Sequence, residues 1–187
     1  MLVNPAPEEI VQGDWYRMPL LGLGYLAAYL RLHGYPVAIA DAKFDRLGLE
    51  AVLERIRGFS PSLLGLTAMT HEVRRAAEIA AASRAVLPGL RTVIGGPHAT
   101  ALPLETLAEF PDFDFAAFGE GEETLLALAD ALRSGRGAAG IDGLSHRSSG
   151  GAAAANPPRP WRRDIDALPF PAWDLYGPSR EYQIFSS

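Results

Sequence analysis

Arg91-Thr92-Val93-Ile94-Gly95-Gly96-Pro97-His98 is a short apolar run that ends abruptly in two glycines. Thr92, Val93 and Ile94 suit an extended backbone, and a run this short belongs to a strand buried inside a sheet. Before it lies an alanine-rich helix over Glu72 to Val86, stopped by Pro88-Gly89. Ahead of that, the strand Ser62 to Leu66 runs into the polar loop Thr67-Ala68-Met69-Thr70. On the other side come a short helix from Leu104 to Glu109 and a strand from Phe113 to Ala117. Gly119-Glu120-Gly121-Glu122 then leads into a helix from Glu123 to Arg133.

The same alternation extends to the beginning of the chain. Leu2 to Asn4 is a clipped first strand, followed by a loop over Pro5 to Pro19 and a helix over Leu20 to Leu32. His33-Gly34-Tyr35 closes that helix with a glycine stop. Pro36 to Ala40 is the second strand, ending at Asp41, and Leu49 to Arg57 is the next helix. Strand and helix alternating five times predict an α/β fold: a doubly wound parallel sheet, Rossmann-like or flavodoxin-like, in three layers α/β/α. Ile141 to His146 is a candidate sixth strand, Ser148 to Ala155 a low-complexity tip, and Asn156 to Pro171 a proline-rich tether. The expected division is a domain over 1–147 and a tip with an extended C-terminal linker over 148–187.

Bulk composition excludes several classes. The 187 residues carry a net charge of −5, and Lys43 is the sole lysine among 17 basic residues. No basic tract exceeds a pair such as Arg162-Arg163, so neither a nucleic-acid partner nor a polybasic membrane anchor is expected. Arg159 and Arg163 are placed to pair with nearby acids. The absence of cysteine removes disulfides, zinc–thiolate sites, a cysteine nucleophile and a cysteine-ligated iron–sulfur cluster from these residues, and no metal ligands are assigned. The apolar stretch from Leu20 to Leu30 is too short for a bilayer and no signal peptide is evident, so a soluble cytoplasmic protein is expected.

Ligands of open parallel sheets bind outside the carboxyl ends of the strands. The loops there are small or polar: Thr67, Met69 and Thr70 after the third strand, Gly95-Gly96 after the fourth, Gly119-Glu120-Gly121 after the fifth. Each has an ordinary alternative. Glycine pairs are common turn residues, Thr67 and Thr70 suit a helix cap, Glu120 and Glu122 complement a helix N-terminus, and a lone His98 is usually a turn residue. Their shared end of the sheet is what points to a roomy crevice. Gly22-Leu23-Gly24-Tyr25-Leu26-Ala27 fits a dinucleotide fingerprint in letters only. It lies far beyond Asn4 with the helix already open, so its glycines read as close helix–sheet packing.

These pieces, in order, resemble the cobalamin-binding domain at the start of B12-dependent radical S-adenosylmethionine enzymes. The resemblance rests on Asn4-Pro5, Pro19-Leu20-Leu21-Gly22-Leu23-Gly24-Tyr25, His33-Gly34-Tyr35, Asp41, Gly95-Gly96-Pro97-His98-Ala99-Thr100, Gly119-Glu120-Gly121-Glu122-Glu123-Thr124 and Leu168-Pro169-Phe170-Pro171-Ala172-Trp173-Asp174-Leu175. It implies a cobalamin over the strand ends with its nucleotide tail in the sheet. Thr67, Met69 and Thr70 match the Ser-x-Leu-like loop, Gly95 and Gly96 the glycine pair against the tail, Pro97 and His98 its continuation, and Gly119, Glu120 and Gly121 the loop at the corrin edge. Pro5 belongs to the matching opening. Cobalamin-binding domains that supply a histidine to cobalt carry Asp-x-His-x-x-Gly after the first strand, whereas residues 5–19 hold no histidine. The resemblance therefore implies a base-off cobalamin without a histidine ligand, with Trp15, Tyr16 and Arg17 beneath the corrin or in an ordered surface loop.

The linker of the family leads to a CxxxCxxC barrel, which is expected to lie outside these residues. The resemblance thus implies a parent polypeptide with a radical S-adenosylmethionine domain, a [4Fe-4S] cluster and S-adenosylmethionine, acting as a methyltransferase or, alternatively, an oxidative cyclase. Two rivals stand beside it: a docking or substrate-recognition domain that has lost the cofactor, and a receiver-type signalling domain. The first requires bulky residues in place of Gly95, Gly96 or Gly121, and the second a lysine after strand five, where none stands.

Overall fold

The computed structural model describes residues 1–6, 19–148 and 150–176. Seven strands form one sheet in the order β2-β1-β3-β4-β5-β6-β7: β1 Leu2–Asn4, β2 Ile39–Asp41, β3 Leu63–Thr67, β4 Arg91–Gly95, β5 Phe115–Ala117, β6 Leu144–Arg147 and β7 Ala153–Ala155. The helices are α1 Leu21–Leu32, α2 Ala42–Asp45, α3 Leu49–Phe59, α4 Val73–Val86, α5 Pro97–Ala101, α6 Pro103–Glu109 and α7 Glu122–Arg133. β1 to β5 are parallel, and the order 2-1-3-4-5 reverses direction between β1 and β3, the switch point at which such sheets open a crevice.

Alternation along each strand divides the apolar residues between two cores. Val3, Leu64, Leu66, Ile94 and Ala116 face Val52, Ile56, Ala76, Ile79, Ala80 and Leu107, which come from α3, α4 and α6. Leu2, Val93 and Phe115 face Leu23, Ala27, Leu30, Leu125 and Leu128 of α1 and α7. Helical spacing of these apolar residues makes each helix one-sided, and the result is the three-layer α/β/α arrangement expected.

Three parts of the chain differ from the sequence expectation. The sheet is parallel only through β5, since β6 pairs antiparallel with β5 and β7 antiparallel with β6. Ala153–Ala155 lie in the stretch expected as a low-complexity tip, so the sheet continues past residue 147. A tight turn between Ser148 and Ala152, closed by two backbone hydrogen bonds of 2.8 and 2.9 Å, is enough to fold it back. The proline-rich stretch 156–171 is extended, as expected of a tether, but Arg159 and Arg162 hold it against α7, and Ala172 and Tyr176 just beyond it are buried in the α1/α7 layer. α2 and α5 are single turns, too short to leave a periodic signal.

Asp41, fully buried at the end of β2, binds the switch point together. Its Oδ1 accepts from Asn4 Nδ2 at 2.7 Å and from the Phe44 amide at 3.1 Å, while Oδ2 accepts from the Leu20 amide at 3.1 Å. One carboxylate thus caps α2, receives the chain entering α1 and joins the ends of β1 and β2. Replacing it leaves buried donors without acceptors. Asp41→Ala is expected to lower stability by about 3 kcal/mol in urea denaturation.

Candidate functional site

On the α1/α7 face, the carboxyl-terminal half of the sheet has almost no side chains. β3 contributes Gly65 and Thr67, β4 contributes Gly95 and β5 contributes Ala117, with Thr67 paired to Gly95 in register. The result is a slot of about 380 Å³ between the sheet and the two helices, a size within the roughly 300–1,000 Å³ common to small-molecule sites. Its inner walls are Leu2, Val93, Leu23, Leu26 and Leu125, and its mouth is formed by Gly96, Pro97, Gly119, Glu120 and Gly121. A Cβ at Gly95 would point into open space, no atom lying nearer than 4.0 Å, so the emptiness there is a consequence of that glycine. At Gly96 the backbone is left-handed, φ +88°, and a Cβ would stand 2.4 Å from Thr67 Oγ1.

The loops at the mouth hold one another. The Ala68 amide donates to Gly95 O at 3.2 Å, the His98 amide to Ala68 O at 3.1 Å, and the Gly119 amide to Thr100 Oγ1 at 3.2 Å. Of the residues marked out in the sequence, Thr67, Gly95, Gly96, Pro97, Gly119, Glu120 and Gly121 converge on the slot. Pro5, Met69, Thr70 and His98 do not line it. Pro5 is buried where β1 ends, Met69 is 47% exposed, and His98 is buried with its ring Nδ1 3.3 Å from Thr70 Oγ1. Trp15, Tyr16 and Arg17 lie outside the described residues.

Gly65, Gly22 and Ala117 also line the slot, although nothing in the sequence reading singled them out for it. An isolated glycine inside a strand was the available signal for Gly65. The glycines of α1 divide: Gly22 faces the slot, while Gly24 faces the C-terminal stretch, where a Cβ would lie 2.9 Å from Pro171 Cβ. Neither packs α1 closely on the sheet, as had been expected of both.

Residues 159–176 act as a strap across α1 and α7. Arg159 donates to Thr124 Oγ1 at 2.8 Å and to Glu123 and Asp142 O at 3.1 Å; Arg162, in the role expected of Arg163, also pairs with Glu123. The Arg162 amide donates to Glu120 Oε2 at 2.8 Å, which ties the strap to the mouth of the slot. Farther along, Arg31 makes two bonds to Asp174 at 2.9 and 2.7 Å, the Ala172 amide reaches Gly24 O at 3.0 Å, and the Tyr176 hydroxyl donates to Leu20 O.

Glu72 braces the loop after β3. It is 4% exposed, and its carboxylate accepts from Lys43 Nζ at 2.6 Å and from the Met69 amide at 3.0 Å. Burial pushes its carboxyl upward, but the hydrogen bonds from Lys43 and Met69 and the Lys43 charge together outweigh that and hold it below the ordinary value of 4.5. Among the described residues no cluster of three or more histidine, cysteine, aspartate or glutamate side chains is arranged to hold a metal, and no helix is long and apolar enough to cross a membrane.

The family model described as B12 binding domain matches residues 14–129. An uncharacterized methyltransferase of Pyrococcus horikoshii is 37% identical over 157 residues, 84% of this chain and 34% of that protein. The anaerobic magnesium-protoporphyrin IX monomethyl ester cyclase of Rubrivivax gelatinosus is 32% identical over 169 residues, 88% of this chain and 30% of that protein. Among solved structures, the radical S-adenosylmethionine methyltransferase TsrM of Kitasatospora setae, with cobalamin and a [4Fe-4S] cluster bound, superposes with a TM-score of 0.69 at 28% identity. That match covers 83% of this chain and 30% of the other. The chain therefore spans about a third of the length of these relatives.

Two outcomes are expected of the bracing groups. Arg159→Ala should cost about 2 kcal/mol and hasten proteolysis within 156–176, read by urea denaturation and by mapping the cleavage products. Because Glu72 has a lowered folded pKa, its stabilising contribution is complete above pH 4.5 and is lost as pH falls through that lowered value. The stability gap between the unmodified chain and Glu72→Gln should accordingly be widest near neutrality and close in acid, as followed by thermal melts across pH.

Proposed function

The chain belongs to the B12-binding domain family, and we propose that it is the unit that holds the corrinoid in a longer cobalamin-dependent radical S-adenosylmethionine enzyme. The observation that carries this reading is the slot at the switch point whose sheet side is nearly free of side chains, with Gly65, Gly95, Gly96 and Gly121 all on its lining. Side chains at these positions would fill or distort the cradle: beyond Gly96, a Cβ at Gly65 would lie 2.8 Å from Leu2 Cδ2, and one at Gly121 would lie 3.0 Å from Leu26 Cδ2. A fold kept only for docking has no need of such a cradle.

Gly95, Ala117 and Val93 offer a flat wall to the nucleotide tail, and Thr67 offers a hydroxyl beside it. Leu23, Leu26 and Leu125 exclude water from the opposite side. Pro97, Gly119, Glu120 and Gly121 receive the part of the ligand that remains at the mouth, with Glu120 positioned by the strap. Pro5, Met69, Thr70 and His98 complete the surrounding rim, the last two by holding the loops after β3 and β4 together. When bound, the group supplies methyl-carrying and electron-transfer chemistry at cobalt.

His98 is engaged with Thr70 and does not line the slot, and residues 5–19 supply no histidine. Both favour a base-off corrinoid without a histidine ligand. The domain reading is the corrinoid-binding unit expected over 1–147, extended by β7 to residue 155, with the rest of the linker region 148–187 leading to the radical S-adenosylmethionine domain with its [4Fe-4S] cluster, in a cytoplasmic enzyme. Methyl transfer is the preferred reaction because a methyltransferase has the highest identity among the relatives described; the cyclase relative supports oxidative cyclisation as the second reading.

Titration of the purified chain with hydroxocobalamin tests this reading. Binding that survives gel filtration, with a base-off visible spectrum, is the expected result, and a chain that retains no corrinoid would overturn it. Gly95→Leu should weaken binding at least about tenfold while the melting temperature holds, because its side chain enters open space. Gly96→Ala should instead cost about 2 kcal/mol of stability through backbone strain.

A further inference from the structure

The slot shares its inner lining with another space. A second cavity, of about 740 Å³, lies at the amino ends of the strands on the same face of the sheet. Leu2, Gly65 and Leu125 belong to the linings of both. Leu2 and Gly65 are paired across β1 and β3, and Gly65 has no side chain of its own to separate the two spaces. The Leu2 side chain occupies that place, its Cδ2 2.8 Å from where a Cβ of Gly65 would be. Leu125 faces them from α7. Leu2, held over a glycine and faced by Leu125, thus stands between an apolar slot and a chamber behind it.

The two compartments differ chemically. The slot beyond its mouth is walled by aliphatic groups. The rear chamber presents Arg91, Arg133 and Arg136 along with Ser60 and Ser62. Arg91 pairs with Asp114 and Arg133 with Asp130, while Arg136 Nε donates to Ser134 Oγ. Each guanidinium has several N–H groups, so these contacts do not use all the donors of the three arginines on that lining. A planar base that passes Leu2 would therefore reach hydrogen-bond donors on its far side.

On the corrinoid reading given above, we propose that Leu2 over Gly65 is the specificity gate for the base that ends the nucleotide tail. We further infer that the gate admits a base with ring-nitrogen acceptors at its far edge, a purine, as well as the apolar dimethylbenzimidazole of cobalamin. Leu2 has the right place for this role because its movement changes the depth of the slot without changing the mouth. A leucine differs from alanine or phenylalanine by a few carbon atoms, a change worth about 10- to 200-fold in discrimination within an apolar pocket.

The test compares three corrinoids on the full 187-residue chain by equilibrium titration of the visible spectrum: cobalamin, its analogue with adenine as the lower base, and cobinamide, which has no nucleotide. The unmodified chain is expected to bind the first two within about tenfold of each other. Leu2→Phe should reduce binding of the adenine analogue about tenfold or more relative to cobalamin, Leu2→Ala should shift the ratio the other way, and neither should alter cobinamide binding. Rejection of the adenine analogue by the unmodified chain would overturn the gate even if neither variant folds. So would Leu2 variants that move all three ligands equally. If no corrinoid binds at all, the function proposed above falls, and the gate with it.

Discussion

The mouth of the slot depends on Gly96 standing where no other residue can. Its left-handed backbone and its closeness to Thr67 let the loops after β3 and β4 interlock through Ala68, Gly95 and His98. The ends of the two central strands are thereby held together by backbone hydrogen bonds, with the Thr70–His98 side-chain contact beside them. Sheets of this topology must diverge at the switch point, since the crossover helices leave on opposite faces. Here the divergence becomes a usable space because Gly65, Thr67, Gly95 and Ala117 fall on one face, where alternation turns them toward α1 and α7.

The outer wall of that space is not self-supporting. α1 and α7 face the sheet with aliphatic side chains, yet toward the mouth they meet a gap. The strap from Arg159 to Tyr176 spans both helices on their far side. Glu123 receives two arginines, Glu120 is held by a backbone amide, and Tyr176 buries its ring beside Leu20 and Gly24. The segment that would lead to any following domain is thus in direct contact with the wall of the slot. Asp41 braces the start of α1 and Glu72 the loop after β3, each a buried carboxylate whose cost of desolvation is offset by hydrogen bonds to the loops that it orders.

Much of this was legible before the coordinates. The five parallel strands and their main helices follow from short apolar runs and 3.6-residue periodicity, and Gly95-Gly96 and Gly119-Glu120-Gly121 stand out as side-chain-poor loops. Seven of the eleven residues marked from the sequence do line the slot. Met69, Thr70, His98 and Pro5 do not, because loop position along the chain does not say which way a side chain turns: Thr70 and His98 turn toward each other. Gly65 sat unremarked in an otherwise ordinary strand. β7 and the docking of the strap were missed because three alanines and a run of prolines carry no periodic signal, and their places are set by long-range partners such as Glu123 and Leu144.

The amino-acid order by itself determined the alternation of strands and helices, the small loops at one end of the sheet and the family resemblance. All of these are local, encoded in neighbouring residues or in motifs at fixed spacing. Tertiary structure alone decided that Gly65 lies under Leu2, that two cavities share their linings there, and that a proline-rich stretch becomes a strap over α1 and α7. Those are contacts between residues tens of positions apart, and close packing, which no local propensity describes, selects them.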